Sequence, residues 1–282
     1  MHLKQIVEKE IQQNGTGCDL NHIDTSCIID MDDLFENSPF NGDISQWDVS
    51  NVKSMRYMFP NSDFNQDISK WDVSKVLNMG SMFEKTIFNQ NISMWNVSNA
   101  RDTRSMFSQS CFNQDISLWD TSNVISMREM FCNSIFDKNI SGWNVSKVIS
   151  MSGMFSKSVF NKDISNWDVS NVENMEAMFM KSKFNQDISR WNVSNVESMV
   201  SMFEGSEFNQ NLSDWVPKKL KSAEAIFKGT LLANNGTLPY WATVKIELLE
   251  QVINQYQLYK KLEQDLPAST HEKIHKSGVR KL

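Results

Sequence analysis

Tryptophan recurs at Trp47, Trp71, Trp95, Trp119, Trp143, Trp167, Trp191 and Trp215, with no insertion between any two copies. A strict period of this kind constrains a fold more than any other feature, because each unit must pack against copies of itself. Phe40 through Phe208 keep the same interval ahead of each Trp, and the Met-Phe pairs Met58-Phe59 through Met202-Phe203 keep it behind. A degenerate half unit, CDLNHIDTSCIIDMDDLF, comes first, with Ile23 at the Trp position and Met31, Leu34 and Phe35 at the later apolar positions. At the far end Val216, Pro217, Ala223 and Ile226 replace consensus residues, while Phe227 persists.

Within a unit two spacings alternate. In DISQWDVS, Ile44, Trp47 and Val49 are β-forming types, and Trp47 and Val49 alternate with polar residues, which predicts a short strand. Ser50 then stands where a helix cap belongs. Val52, Met55, Met58 and Phe59 follow at helical intervals and predict a helix of two or three turns. One strand and one short helix per unit predicts a right-handed α/β solenoid. A lone unit cannot bury enough apolar surface to offset its ordering, so the array must supply the remainder.

The domain plan follows. Residues 1–17 are expected as an N-terminal capping helix, from the stripe Leu3, Ile6, Val7 and Ile11 stopped by Asn14-Gly15. Residues 18–239 hold the repeats: a half unit and eight Phe/Trp units, the last degenerate. Residues 240–266 are expected as a C-terminal capping helix with Leu249, Val252, Tyr256 and Tyr259 on one face, the alternative being a helix that meets a partner or a second copy. Pro267 stops it, and 267–282 reads as a mobile basic tail.

The formal charge is −6, and the acidity lies in the residues before Tyr240. An acidic body argues against duplex DNA or an anionic membrane as partner. MHLKQIVEKEIQQNG has no apolar core or small-residue cleavage site, and the chain has no apolar run long enough to span a bilayer. A cytoplasmic location is therefore expected, or the cell surface if a leader precedes this sequence. Cys18, Cys27, Cys111 and Cys132 form no C-x-x-C pair and read as reduced thiols.

Chemistry-bearing patterns are scarce. Asp43, Asp67, Asn91, Asp115, Asn139, Asp163, Asp187 and Asn211 share one unit position, and Asp48, Asp72, Asn96, Asp120, Asn144, Asp168 and Asn192 another. The structural expectation is a pair of ladders that accept backbone N–H groups; calcium sites are the functional alternative, weakened by the asparagines. Glycoside hydrolysis needs one singular pair of carboxyls, whereas these are repeated. His2, His22, His271 and His275 all lie outside the eight full units, so nucleophilic triads and imidazole metal sites have no members there. No phosphate loop, cofactor motif or metal motif is present, and the Met and Trp stripes are expected as core.

If the framework is structural, function belongs where units differ. The residue before each Trp is Gln46, Lys70, Met94, Leu118, Gly142, Asn166, Arg190 and Asp214. Alternation places it on the sheet face opposite Trp. A second variable set is apolar in the middle units, with Leu77, Ile87, Cys111, Ile125, Ile135, Ile149 and Val159 where the outer units hold Lys53, Asp63, Glu173, Lys183, Glu197 and Glu207. Gln46, Lys70, Met94, Leu118, Asn166, Arg190, Leu77, Ile125 and Ile149 are accordingly the candidate partner-binding residues; improved local packing is the alternative. Ala100 and Thr103 replace the usual Val and Met of their unit, which predicts a smaller core there.

F-N-x-D-I-S-x-W-D-V-S-N-V-x-x-M-x-x-M-F resembles the BspA-like repeat, a leucine-rich-repeat relative of bacterial surface proteins and mycoplasma lipoproteins, over residues 18–230. The resemblance implies a leucine-rich-repeat-like solenoid that binds other proteins or host surfaces. The expected function is thus a non-enzymatic protein-recognition scaffold, monomeric, without cofactor, metal or nucleic acid. The alternatives are a bacterial cell-surface adhesin, an intracellular and phage-encoded acidic decoy of a basic protein, and an enzyme acting through an unrecognised pocket.

Overall fold

The computed structural model describes residues 3–243 and 246–265. Helices occur only near the two ends: α1 (Leu3–Asn14), α2 (Leu231–Asn234) and α3 (Leu249–Asp265), with single 3-10 turns at Tyr240–Ala242 and Ile246–Leu248. Between α1 and α2 the described residues form neither helix nor sheet. They contain isolated parallel bridges, one per junction, running from Asp30↔Ser54 to Ser198↔Ser222 in unbroken register.

Residues 136–159 show how one coil is built. Several β-turns bend it, among them those in which Trp143 N–H donates to Ile140 C=O at 3.1 Å, Val148 to Val145 at 2.9 Å, Met154 to Met151 at 3.1 Å and Ser158 to Phe155 at 3.2 Å. Asn139 and Asn144 fix the first two by accepting the N–H groups of Ser141 and Ser146, each at 3.0 Å. The last two turns need a left-handed residue at their third position, and Gly153 (φ 65) and Lys157 (φ 57) supply it.

This geometry overturns the expected α/β solenoid of strand–helix units. A helix over Val52–Phe59 would require each N–H to reach back along its own segment. Instead, along 151–157 the N–H groups of Met151, Gly153, Phe155 and Lys157 donate to Asn174, Glu176, Met178 and Met180 of the following coil, at 2.7–2.9 Å. The intervening carbonyls of Ser150, Ser152, Met154 and Ser156 accept from the preceding coil. Along this segment these donors therefore face one way along the stack and these acceptors the other. The left-handed conformation recurs at Asp33, Asn37, Tyr57, Asn61, Ser81 and Lys85 and onward through Ala225, so a helix cannot propagate in any unit. The predicted strand fails too. Ser45-Gln46 and Ser50-Asn51 are turns, so Trp47, Asp48 and Val49 are a short link without a ladder partner.

The predicted core residues do pack together. Phe131 stacks on Phe136, which opens the next coil, at 4.1 Å and on Phe107 and Phe155 at 5.8 Å each. Trp119 and Trp143 stack at 6.4 Å. Each indole N–H is satisfied by a buried carbonyl one coil back, as in Trp143 Nε1 to Ile116 at 3.1 Å. Asparagines after the Phe add a ladder: the Asn65 N–H donates to Asn41 Oδ1 at 2.9 Å, and Gln66 Nε2 reaches the same Asn41. Ala100 and Thr103 are buried without breaking the bridge register.

α1 buries Val7 in the core and is followed by Gly15 at φ 88. At the other end Trp241 stacks on Trp215 at 6.0 Å and donates to Leu212 C=O at 3.1 Å, extending the indole column by one. The apolar stripe read from Trp241 is α-helical only from Leu249, and Tyr256 of α3 stacks on Tyr240 at 4.0 Å. The basic tail at 267–282, with His271 and His275, lies outside the described residues, as does His2.

Candidate functional site

The residues before each Trp sit at corners, at the third position of the Ile–Trp turn, rather than on a sheet face. A turn tip points away from the core, and Gln46, Lys70, Met94, Leu118, Asn166 and Arg190 are all exposed. Met94 is 81% and Leu118 80% exposed, on consecutive corners.

Leu77, Ile125 and Ile149 belong to another column, joined by backbone bonds such as Ile149 N–H to Ile125 C=O at 2.9 Å. All three are exposed, and Arg101 separates Leu77 from the other two. Ile87, Cys111, Ile135 and Val159 form a third exposed column on successive coils. In the outer coils the same columns carry ion pairs: Lys221 with Glu197 at 2.7 Å, and Lys183 with Glu207. The candidate residues thus occupy distinct columns of the same central coils and do not converge on one pocket. Gln46 and Lys70 line a cavity of about 240 Å³ with Asp43, Ser45, Gln66 and Asp67.

The acidic ladders have a local task. Asp67 accepts the Ser69 N–H at 2.9 Å and Asp72 the Ser74 N–H at 3.0 Å. The Ser69 backbone N–H holds the Asp67 carboxyl below its ordinary range, and Ser74, chiefly through its side chain, does the same for Asp72. Asparagine does the same structural work at Asn91 and Asn96, to Ser93 and Ser98. Among the described residues no three His, Cys, Asp or Glu side chains group as metal ligands would.

A second cavity of about 240 Å³ was not anticipated. Arg56, Tyr57, Gly80, Ser81, Arg104, Ser105, Arg128 and Glu129 line it. Its signal was present: Arg56, Arg104 and Arg128 hold one unit position, with Gly80 filling the gap in the series. Their convergence went unseen because that segment read as a helix.

The family described as "Mycoplasma protein of unknown function, DUF285" matches residues 2–111, 88–182, 108–206 and 158–266, in overlapping runs. The chain belongs to this family. The overlapping DUF285 matches agree with the tandem repetition seen in the stacking, and they assign no activity. No curated protein and no solved structure matches the chain. Among the described residues of this DUF285 protein, no helix is long and apolar enough to cross a membrane.

Proposed function

We propose that this DUF285 chain is a non-enzymatic recognition scaffold whose central coils bind a protein partner. The observation that carries this reading is that, from Phe40 to Phe227, the exposed large apolar side chains fall in the central coils; the others, Ile29, Leu231, Leu248 and Leu258, lie in the terminal segments. Met94 and Leu118 stand on consecutive corners there, and Ile125, Ile149, Ile87, Ile135 and Val159 are exposed on the same coils. In the outer full units the equivalent positions are polar or charged, as at Lys53, Glu173, Lys183, Glu197 and Glu207, although Ile29 of the first half unit is also apolar and exposed; apolar residues flanked by polar ones are what a protein-binding surface requires. The resemblance of the motif to BspA-like repeats supports the same reading and favours a surface-adhesin form of it, in which the partner is a host surface protein.

The test replaces Met94 and Leu118 with Lys. Both side chains are solvent-exposed corners, so the fold should remain, as checked by circular dichroism. Partners captured by the parent chain from native cells and identified by mass spectrometry should be lost by the double variant. Retention of every partner by a folded double variant refutes the assignment.

A further inference from the structure

We infer that the cavity lined by Arg56, Arg104 and Arg128 is an anion site that takes the phosphate group of a small phosphorylated ligand. The cavity spans four successive coils, and none of the exposed apolar residues described above lines it.

Its electrostatics favour an anion. Three guanidiniums line it against one carboxylate, Glu129. Arg104 holds Asp102 through Nε and Nη2, at 2.7–2.9 Å, with no partner for Nη1 among the described residues. Arg128 holds Glu129 through Nε and Nη2, at 3.1 Å, likewise with none for Nη1 among them. Arg56 pairs with no carboxylate among the described residues; its guanidinium lies 4.7 Å from the Tyr57 ring centroid, a contact that orients it without consuming its donors. Gly80 keeps the space between Arg56 and Arg104 open: a Cβ there would come within 3.2 Å of Asn78 Oδ1.

A second observation points to a ligand independently of charge. Ser81 is only 5% exposed, yet its hydroxyl makes no hydrogen bond to any described residue. Buried hydroxyls are normally partnered. No fully buried side-chain polar atom in the described structure is left unpaired, so this hydroxyl still reaches the cavity space. Tyr57 and Ser105 also line the cavity, and neither hydroxyl bonds to a described residue.

The number of donors selects the anion. Arg56, the two Nη1 groups and three hydroxyls together offer more hydrogen bonds than the roughly four lone-pair sites of a carboxylate accept. A phosphate monoester, with three strong acceptor oxygens and a second negative charge, matches them.

The experiment is calorimetric titration of the full chain with glycerol 3-phosphate, inorganic phosphate and acetate at constant ionic strength. The two phosphates should bind saturably and acetate should not. Arg56→Gln should weaken phosphate binding roughly tenfold or more, as expected for loss of a charged multidentate contact. Ser81→Ala should weaken it measurably while keeping the fold, because Ala177 occupies the same left-handed unit position. Lys219→Gln, an exposed cation outside the cavity, should bind as the parent does. Glycerol 3-phosphate binding more tightly than inorganic phosphate supports a carried phosphate; the reverse order overturns that part of the inference. No saturable phosphate binding, equal binding of acetate, or equal losses in Arg56→Gln and Lys219→Gln overturns the site.

Discussion

Replacing Ala177 with Gly distinguishes the observed backbone from a helical one by the sign of its effect. Ala177 has φ 51, and its N–H donates to Val200 C=O of the next coil at 2.8 Å. A left-handed conformation costs an L-residue about 1–2 kcal/mol. Glycine avoids that cost but loses about 0.5–1 kcal/mol more backbone entropy on folding. Ala177→Gly should therefore stabilise the chain by about 0.5–1 kcal/mol. Gly153 already occupies the equivalent position one coil earlier, with φ 65. Ala177→Val should destabilise by about 1–3 kcal/mol, because a β-branched side chain is strained there. Urea titration followed by tryptophan fluorescence measures both shifts. In a helix interior, Ala→Gly would instead cost about 1 kcal/mol. A loss of that size in Ala177→Gly refutes the left-handed assignment.

Trp143→Phe should destabilise by about 2 kcal/mol, from a void beside Trp119 and loss of the indole bond to Ile116; the Ile116 carbonyl keeps its bond from the Trp119 N–H, which limits the loss. A urea midpoint equal to that of the parent contradicts a packed indole column. Acid should unfold the chain through the Asp ladder. Asp43, Asp67, Asp115, Asp163 and Asp187 ionise at lower pH when folded, through the N–H of the following Ser, so the unfolded chain binds protons more tightly. Their contribution is complete above the unfolded range near pH ~4 and is lost as pH falls through the folded values. Thermal melts between about pH 6 and about pH 3 should show this, and Asp67→Asn with Asp115→Asn should flatten the slope, since Asn91 fills that position naturally. An unchanged slope rules these carboxyls out as the acid-sensitive groups.

The period made the core legible. Phe40, Ile44, Trp47, Val49, Val52, Met55, Met58 and Phe59 are all buried, because a residue repeated in every unit faces its own copies. The backbone path was not legible. Met55 and Met58 are three apart, which suits a helix, but a β-turn also brings both inward. Most of the left-handed positions carry Ser, Lys, Asn, Tyr or Ala rather than Gly, so composition gave no warning of them. The decisive hydrogen bonds run between units, and no local window of sequence contains them. Met94 and Leu118 were expected outward by strand alternation; they are outward because they stand on turn tips. The arginine cavity depends on the same misread segment, and its three arginines emerge only when the units are aligned position by position.

The uniform junction has a genetic consequence. Each coil offers its successor the same pattern of donors and presents the same acceptors to its predecessor, so any central coil can follow any other. An in-frame duplication or loss of one whole unit would preserve every remaining junction, whereas an insertion of a single residue inside a coil would break its bonds on both sides. Recombination between copies of the unit can thus lengthen or shorten the protein while mutation rewrites the corners, and the number of coils and the surface they display can change independently.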